Sequence, residues 1–317
     1  MKTPAPVLSV VIPVYNEAAV LTLFHRTLME ILGLAPLSYE VIYVNDGSTD
    51  RSLNTLRALA KAHAQVRILN LSRNFGKEMA TTAGLHAARG EAIVMLDADG
   101  QHPVEAIPKF VQAWQRGAKV VVGLPNNRHS TLWKRAGSKL FNGIYSRLTG
   151  IKIEPNATDF RLIDRDVQAS FSRLTEHNRI TRGLIDWLGY ERQYITYAEN
   201  ERLAGNSTQS FRKLFKLAID SAISLSTSPL YLVAYIGIII LPIATILGAG
   251  MVGNYLLQDP LHLHATGGAY VMVLMLFLIG ILLVSQGIIG LYLSHIHAES
   301  QNRPLYIVDE LTPERKA

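Results

Sequence analysis

The feature that most constrains the fold is a repeated alternation between short, β-branched apolar runs and helix-length amphipathic stretches. Leu8–Ile12, closed by Pro13, precedes a helical pattern over Glu17–Leu32. Val41–Val44 precedes Thr49–His63, whose Leu53, Leu56, Leu59 and Ala60 share one face. Val66–Leu71 precedes Lys77–Ala88, and Ile93–Leu96 precedes a helix opened by Pro103. Val120–Val122 supplies a fifth strand. Apolar strands separated by helices predict an α/β domain with a mostly parallel sheet covered on both faces.

Sheets of this kind bind ligands beyond the carboxyl ends of their strands. Tyr15, Glu17, Asp46, Arg73-Asn74, Asp97 and Asp99 all fall at such ends. Asp97-Ala-Asp99 follows a buried strand, with Gln101 close by. Two carboxylates one residue apart suit a hard divalent cation that keeps water and binds phosphate oxygens. In isolation an Asp-x-Asp is more often a solvated turn. Asp46 has two readings, a hydrogen-bond acceptor for a base or ribose and an Asx-turn or helix cap. Glu17 is either a ligand or a first-turn acid favoured by the helix dipole. Lys77, opening the third helix, is either an anion contact or a solvated lysine. The chain carries no Gly-x-Gly-x-x-Gly after the first strand, no Gly-Lys-Ser/Thr loop, no His-x-x-x-His and no Gly-x-Ser-x-Gly. Those gaps argue against dinucleotide oxidoreductases, P-loop NTPases, zinc enzymes and α/β-hydrolases.

A second constraint lies in the last third. Leu230–Val252 and Gly267–Ser294 are free of charged residues and each exceeds the roughly 20 residues that cross a bilayer. Before them, Phe211, Leu214, Phe215, Ala218, Ile219, Ala222 and Ile223 follow helical spacing, with Arg212, Lys213 and Lys216 on other faces. That pattern predicts a basic amphipathic helix in the membrane interface. The connection Gly253–Thr266 has no Lys or Arg, whereas basic residues flank the pair, so the large domain and both termini are expected in the cytosol. Val7–Val14 is too short for a secretion signal. The expected organisation is a cytosolic domain over 1–207, a juxtamembrane helix over 208–229, two transmembrane helices over 230–295 and a tail over 296–317. A mean hydropathy of +0.17 is high for a soluble protein, and the absence of cysteine excludes disulfides and thiolate metal sites. The net charge of +6 suits anionic partners but equally a solvated basic surface.

Val11-Ile-Pro-Val-Tyr-Asn-Glu17, Asn45-Asp-Gly-Ser-Thr-Asp50, Arg73-Asn-Phe-Gly-Lys-Glu78 and Asp97-Ala-Asp-Gly-Gln101 resemble the GT-A glycosyltransferases of family 2. Asp159-Phe-Arg161, Asn178-Arg-Ile-Thr-Arg-Gly183, Glu201-Arg-Leu-Ala-Gly205 and Ser226-Thr-Ser-Pro229 are similar to the polyprenyl-phosphate hexosyltransferases among them, the dolichol-phosphate mannosyltransferases and bactoprenol glucosyltransferases. The resemblance runs from about Leu8 to Val308. It implies a GT-A domain anchored in the bacterial inner membrane. It implies transfer of a hexose, glucose from UDP-glucose, to polyprenyl phosphate with inversion, for modification of a cell-envelope glycan. Other sugars, or a non-catalytic nucleotide-sugar-binding membrane protein, are the alternatives.

By that resemblance Pro13, Tyr15, Glu17 and Asp46 hold the nucleotide. Asp97, Asp99 and Gln101 hold Mg²⁺ or Mn²⁺ and the diphosphate, and Arg202 binds phosphate. Arg128 and Arg135 fall in the family's basic acceptor region, and Lys77 and Arg161 complete the expected binding residues. Asp159 either orients the acceptor or a sugar hydroxyl, or pairs with Arg161. The implied partners are a nucleotide diphosphate sugar, a polyprenyl phosphate and the membrane, with no nucleic acid; a homo-oligomer is compatible. A phosphate nucleophile is already ionised near neutral pH, so no histidine has to be a general base. Gly100 departs from the family, standing where a leucine is common. Asn206-Ser-Thr-Gln209 lacks the usual lysine, and Leu291-Tyr-Leu-Ser-His295 replaces a more charged stretch.

Overall fold

The computed structural model describes residues 6–126, 158–177, 179–198, 246, 249–250, 253, 256 and 267–311. The chain divides into two compact units, one of residues 1–146, 151–210 and 303–317, the other of 147–150 and 211–302.

The first unit is built on an eight-stranded sheet. Its strands are β1 (Leu8–Val14), β2 (Tyr39–Asn45), β3 (Val66–Leu71), β4 (Ala92–Met95), β5 (Val120–Pro125), β6 (Arg161–Asp164), β7 (Arg192–Tyr197) and β8 (Val308–Leu311). The order across the sheet is β7-β5-β6-β4-β1-β2-β3-β8. β4, β1, β2 and β3 are parallel neighbours, as the alternation predicts. Their apolar runs are buried on both faces because helices cover both sides. Val10 and Ile12 of β1 face a core shared with Leu21, Phe24 and Leu28 of α1 (Ala18–Gly33) and Phe110 of α4 (Ile107–Gln115). Between these helices come α2 (Ser52–Ala62) and α3 (Lys77–Ala87). Val11 points to the opposite face, where α3 lies against it.

Beyond β4 the sheet departs from the simple alternation. β6 inserts between β4 and β5 and runs antiparallel to both. Its four residues, Arg-Leu-Ile-Asp, include only two apolar side chains, too short a run to read as a strand from pattern. Two short helices follow, α5 (Arg165–Phe171) and α6 (Thr181–Trp187), then edge strand β7, parallel to β5.

The other edge is closed from far along the chain. β8 pairs antiparallel with β3, Glu310 opposite Asn70 and Leu311 opposite Leu69. The segment expected to be a tail therefore contributes a strand. Arg57 pairs with Glu310, the Ser72 N–H donates to the Ile307 carbonyl at 3.0 Å, and the Tyr306 hydroxyl meets His86 Nδ1 at 3.0 Å. The edge passes from β3 to β8, a four-residue strand carrying Asp309 and Glu310, which is poorly suited to pairing with another chain.

In the second unit, α7 (Gly267–Ser300) is a continuous helix of 34 residues with no Asp, Glu, Lys or Arg before Glu299. Counted over the described residues alone, no helix is long and apolar enough to cross a membrane. The expected span Gly267–Ser294 falls within α7. The interfacial helix lies outside the described residues, as does nearly all of the span Leu230–Val252.

Candidate functional site

The loops after β1 and β2 are tied together by their own side chains. Asn16 adopts a left-handed conformation (φ 56°), which suits a short polar side chain. Its Oδ1 accepts the Thr49 N–H at 2.8 Å and the Asp50 N–H at 3.3 Å, while its own N–H donates to Ser48 Oγ at 3.0 Å. The Glu17 N–H donates to Ser52 Oγ at 2.9 Å and the Ala18 N–H to Asp50 Oδ2 at 3.1 Å. Much of the polar character after β2 is thus spent on positioning the β1 loop, which leaves Tyr15 exposed on the cleft.

Asp46 holds a third loop. Its two carboxylate oxygens accept the Phe75 N–H at 2.7 Å and the Gly76 N–H at 2.9 Å. Burial pushes its pKa up, while the two amides and Arg73 pull the other way. At 2% exposure this carboxylate shapes the cleft wall more than it presents a free edge to a ligand. Gly47 (φ +64°) makes the arrangement fit, since an added Cβ would lie 2.3 Å from the Arg73 carbonyl carbon.

The loop fixed by Asp46 leads into α3, whose first residue bridges two carboxylates. Lys77 Nζ lies 2.8 Å from Asp97 and 2.8 Å from Asp159. Burial works against the Lys77 ammonium, and the two carboxylates outweigh it, holding its pKa above the usual lysine value. Burial likewise works against ionised Asp159, but Lys77, then Arg182 and Arg161, outweigh it and bring its pKa down to about 2. Of the two readings of Asp159, pairing with Arg161 is not the one seen, because its partner is Lys77.

The Asp97–Gln101 turn is set by local bonds. The Asp97 N–H donates to His102 Nδ1 at 3.2 Å, and the Gln101 N–H to Asp99 Oδ1 at 3.0 Å. His102 stacks on Phe160 with ring centres 5.2 Å apart. Burial pushes its pKa down, the Asp97 charge opposing, and accepting at Nδ1 requires an imidazole protonated at Nε2 or a weakened bond. Gly100 has φ +78°, a left-handed conformation that glycine adopts without strain.

These residues line one open cleft of about 540 Å³ at the carboxyl edge of the sheet. Pro13, Tyr15, Glu17 and Asp46 stand toward the β1–β2 side, and Asp97, Asp99 and Gln101 follow β4. Lys77 and Asp159 complete the set that the motifs single out and the fold brings together. Arg161 is 1% exposed and pairs with Asp186 at 2.9 Å; it lines a smaller pocket next to the open cleft, shared with Lys77, Asp97, Asp159 and Arg182, rather than the open cleft itself. Its Nε also donates to the Thr158 carbonyl at 3.1 Å, so it braces α6 against β6. Arg128, Arg135 and Arg202 lie outside the described residues. Asn74, Thr158 and Arg182 line the cleft although no role was read for them. Arg182 stands in the Asn178–Gly183 motif, the one signal that pointed to it.

Among the described residues, no three His, Cys, Asp or Glu side chains form a group that could cage a metal. A hard cation bound with substrate phosphates needs only one or two carboxylates and keeps several waters. Asp97 and Asp99, oxygen donors on one turn of an open cleft, fit Mg²⁺ or Mn²⁺ on those terms.

The α/β sheet with its cleft at the carboxyl edge is that of a glycosyltransferase of GT-A type, as the family match shows. The chain matches the domain described as Glycosyl transferase family 2 over residues 9–170, and it belongs to that family. It is 36% identical to the bactoprenol glucosyl transferase of Shigella phage SfV, covering 95% of this chain and 97% of that one. It is 34% identical to a prophage bactoprenol glucosyl transferase homolog of Escherichia coli K12, over 95% of this chain and 98% of that one. Among solved structures, the fold is similar to glucosyl-3-phosphoglycerate synthase from Mycobacterium tuberculosis in complex with Mn²⁺, UDP and phosphoglyceric acid. That match has a TM-score of 0.52 and 19% identity, over 69% of this chain and 77% of the other.

Proposed function

We propose that this glycosyltransferase moves glucose from UDP-glucose to undecaprenyl phosphate, with inversion at the anomeric carbon, on the cytosolic face of a bacterial inner membrane. The observation that carries the reading is the single cleft in which the Asp97–Asp99 turn stands between the β1–β2 loops and the Lys77–Asp159 pair. That order offers a place for a nucleotide, a diphosphate and a second anionic substrate in one line. Near-full-length similarity to proteins named bactoprenol glucosyl transferases supports the choice of acceptor and sugar.

The chemistry asked of the chain is chiefly electrostatic. Two phosphate-bearing substrates must meet, and the attacking oxygen must be aligned with the anomeric carbon. Asp97, Asp99 and Gln101 would hold Mg²⁺ or Mn²⁺, which when bound offsets charge building on the departing diphosphate. Asp46 and Asn16 keep the nucleotide-side loops in register. Lys77 keeps Asp97 and Asp159 from presenting a purely negative wall to an incoming phosphate. The acceptor phosphate needs no general base.

Membrane attachment is read from the two long uncharged segments of the sequence, and the fold bears only on the parity of any crossings. β8 belongs to the same sheet as β1 to β7, so bilayer crossings between residues 211 and 302 must be even in number. The two uncharged segments satisfy that, with the catalytic domain and both termini on the cytosolic side.

The test is to incubate purified protein with undecaprenyl phosphate, Mg²⁺ or Mn²⁺, and a panel of nucleotide sugars, and to weigh the lipid product. A hexosyl phospholipid formed from UDP-glucose is expected. Transfer only to a non-phosphorylated acceptor, or donor binding without turnover, would overturn the reading.

A further inference from the structure

We propose that Arg182 receives the phosphate of the acceptor, at the end of the cleft farthest from the nucleotide. The inference rests on the reading of the site as one that joins a nucleotide sugar to a phosphate-bearing acceptor.

The position follows from strand order. Along the carboxyl edge the sequence of strands is β2, β1, β4, β6. The acidic side chains therefore come in the order Asp46, Glu17, Asp97, Asp159. Three strand spacings separate the first from the last, roughly 14 Å. Arg182 lines the cleft and adds its charge to the field at Asp159, so it belongs to the β6 end. A donor whose nucleotide lies over β1 and β2, with its diphosphate at the Asp97–Asp99 turn, leaves that end for the second substrate.

Two consecutive residues of α3 prepare the place. Lys77 takes up Asp97 and Asp159 in 2.8 Å pairs, which lowers the repulsion a phosphate would meet. Glu78 reaches the other way, its Oε2 accepting the Thr181 N–H at 2.8 Å. Arg161, itself buried, donates to the Arg182 carbonyl at 3.3 Å and to Asp186 at 2.9 Å. The backbone on both sides of Arg182 is thus pinned from inside the domain, while its side chain is exposed toward the cleft. Among the described residues Asp159 is paired with Lys77 rather than with Arg182, which leaves the guanidinium fork to a phosphate. A rigid base under a planar, permanently charged donor group is what capture of a phosphate requires.

The experiment varies both substrates for the full chain and for Arg182→Gln and Arg182→Lys in membranes. With Arg182→Gln the KM for undecaprenyl phosphate is expected to rise on the order of tenfold or more, the loss of charge-assisted hydrogen bonds. The KM for UDP-glucose and the affinity for UDP with Mn²⁺ should stay within about twofold. Arg182→Lys, which keeps the charge and loses the fork, should fall between. An unchanged acceptor KM in both variants, or a rise confined to the UDP-glucose KM, overturns the assignment. If the parent forms no lipid-linked product, the functional reading falls and this inference with it. If the parent does and the variants match it, only the inference falls.

Discussion

The Lys77 ammonium lies 2.8 Å from Asp159, a residue 82 positions further along the chain, and the same nitrogen lies 2.8 Å from Asp97. One cation at the start of α3 thereby joins the turn after β4 to the entry of β6. Both carboxylates face the space where two anionic substrates must meet, so removing that cation has consequences for charge and for shape.

Lys77→Met should leave Asp97 and Asp159 repelling each other. The Asp159 pKa, held at about 2, should climb toward or above the ordinary carboxylate value. The sign follows from linkage. A depressed carboxylate pKa contributes stability that is present above the unfolded value of about 3.9 and is lost as pH falls toward 2. Unfolding midpoints should therefore differ between parent and variant at pH 7 and converge near pH 2. Transfer activity at pH 7 should drop by about tenfold or more. Equal midpoints at pH 7 would show that the pair does not matter to the fold.

Asp99→Ala should abolish most transfer, by about 100-fold or more, if Asp99 helps hold the divalent cation. The local bond from the Gln101 N–H is lost with it, worth on the order of 1 kcal/mol, so the fold of the variant should be checked by its unfolding midpoint. Mn²⁺ affinity in the presence of UDP, read by electron paramagnetic resonance, should weaken in parallel. Retained Mn²⁺ binding together with lost activity would move Asp99 from the metal to another role.

His25 should make the domain acid-sensitive well above the carboxylate range. Burial, with help from His63, brings its pKa down to about 4, and its Nδ1 is 3.0 Å from the Tyr43 hydroxyl. The folded state thus prefers neutral imidazole, while the unfolded chain takes up a proton near pH 6.5. Stability should be full above about pH 6.5 and decline as pH falls to about 4. In His25→Gln the slope of unfolding midpoint against pH over that window should flatten.

The covered sheet edge separates a weak contact from a strong one. Arg57→Ala removes an exposed, solvent-screened ion pair with Glu310 and should leave the unfolding midpoint nearly unchanged. Removing residues 306–317 strips the whole strand from β3 and bares its edge. That truncation should lower the unfolding midpoint by several degrees and increase self-association on gel filtration.

Residues up to Val122 were legible because each strand there is dominated by apolar residues and is set off by a helix-length stretch. Val66–Leu71 is a strand with the bounds its pattern predicts, and the start of α3 at Lys77 agrees as well. Legibility ends where an element is short or recruited from a distance. β6 offers two apolar residues beside a buried arginine, and β8 lies past the second uncharged segment with only part of its surface covered. Neither carries a local period strong enough to declare itself.

In the site the division runs along the same line. Asp97, Asp99, Glu17 and Asp46 could be placed at strand ends because a parallel sheet gathers those ends on one edge. Residue order alone thus determined the α/β domain, the acidic turn and the family they resemble. Partnership was decided only by the tertiary structure. Arg161 and Asp159 are two residues apart in the chain, but Arg161 is the first residue of β6 whereas Asp159 lies in the bend before it, outside the strand's alternation. Arg161 is buried against Asp186 while Asp159 faces Lys77. Charge pairing depends on distances of a few ångströms, and those are set when β6 inserts beside β4 and α3 packs across the sheet.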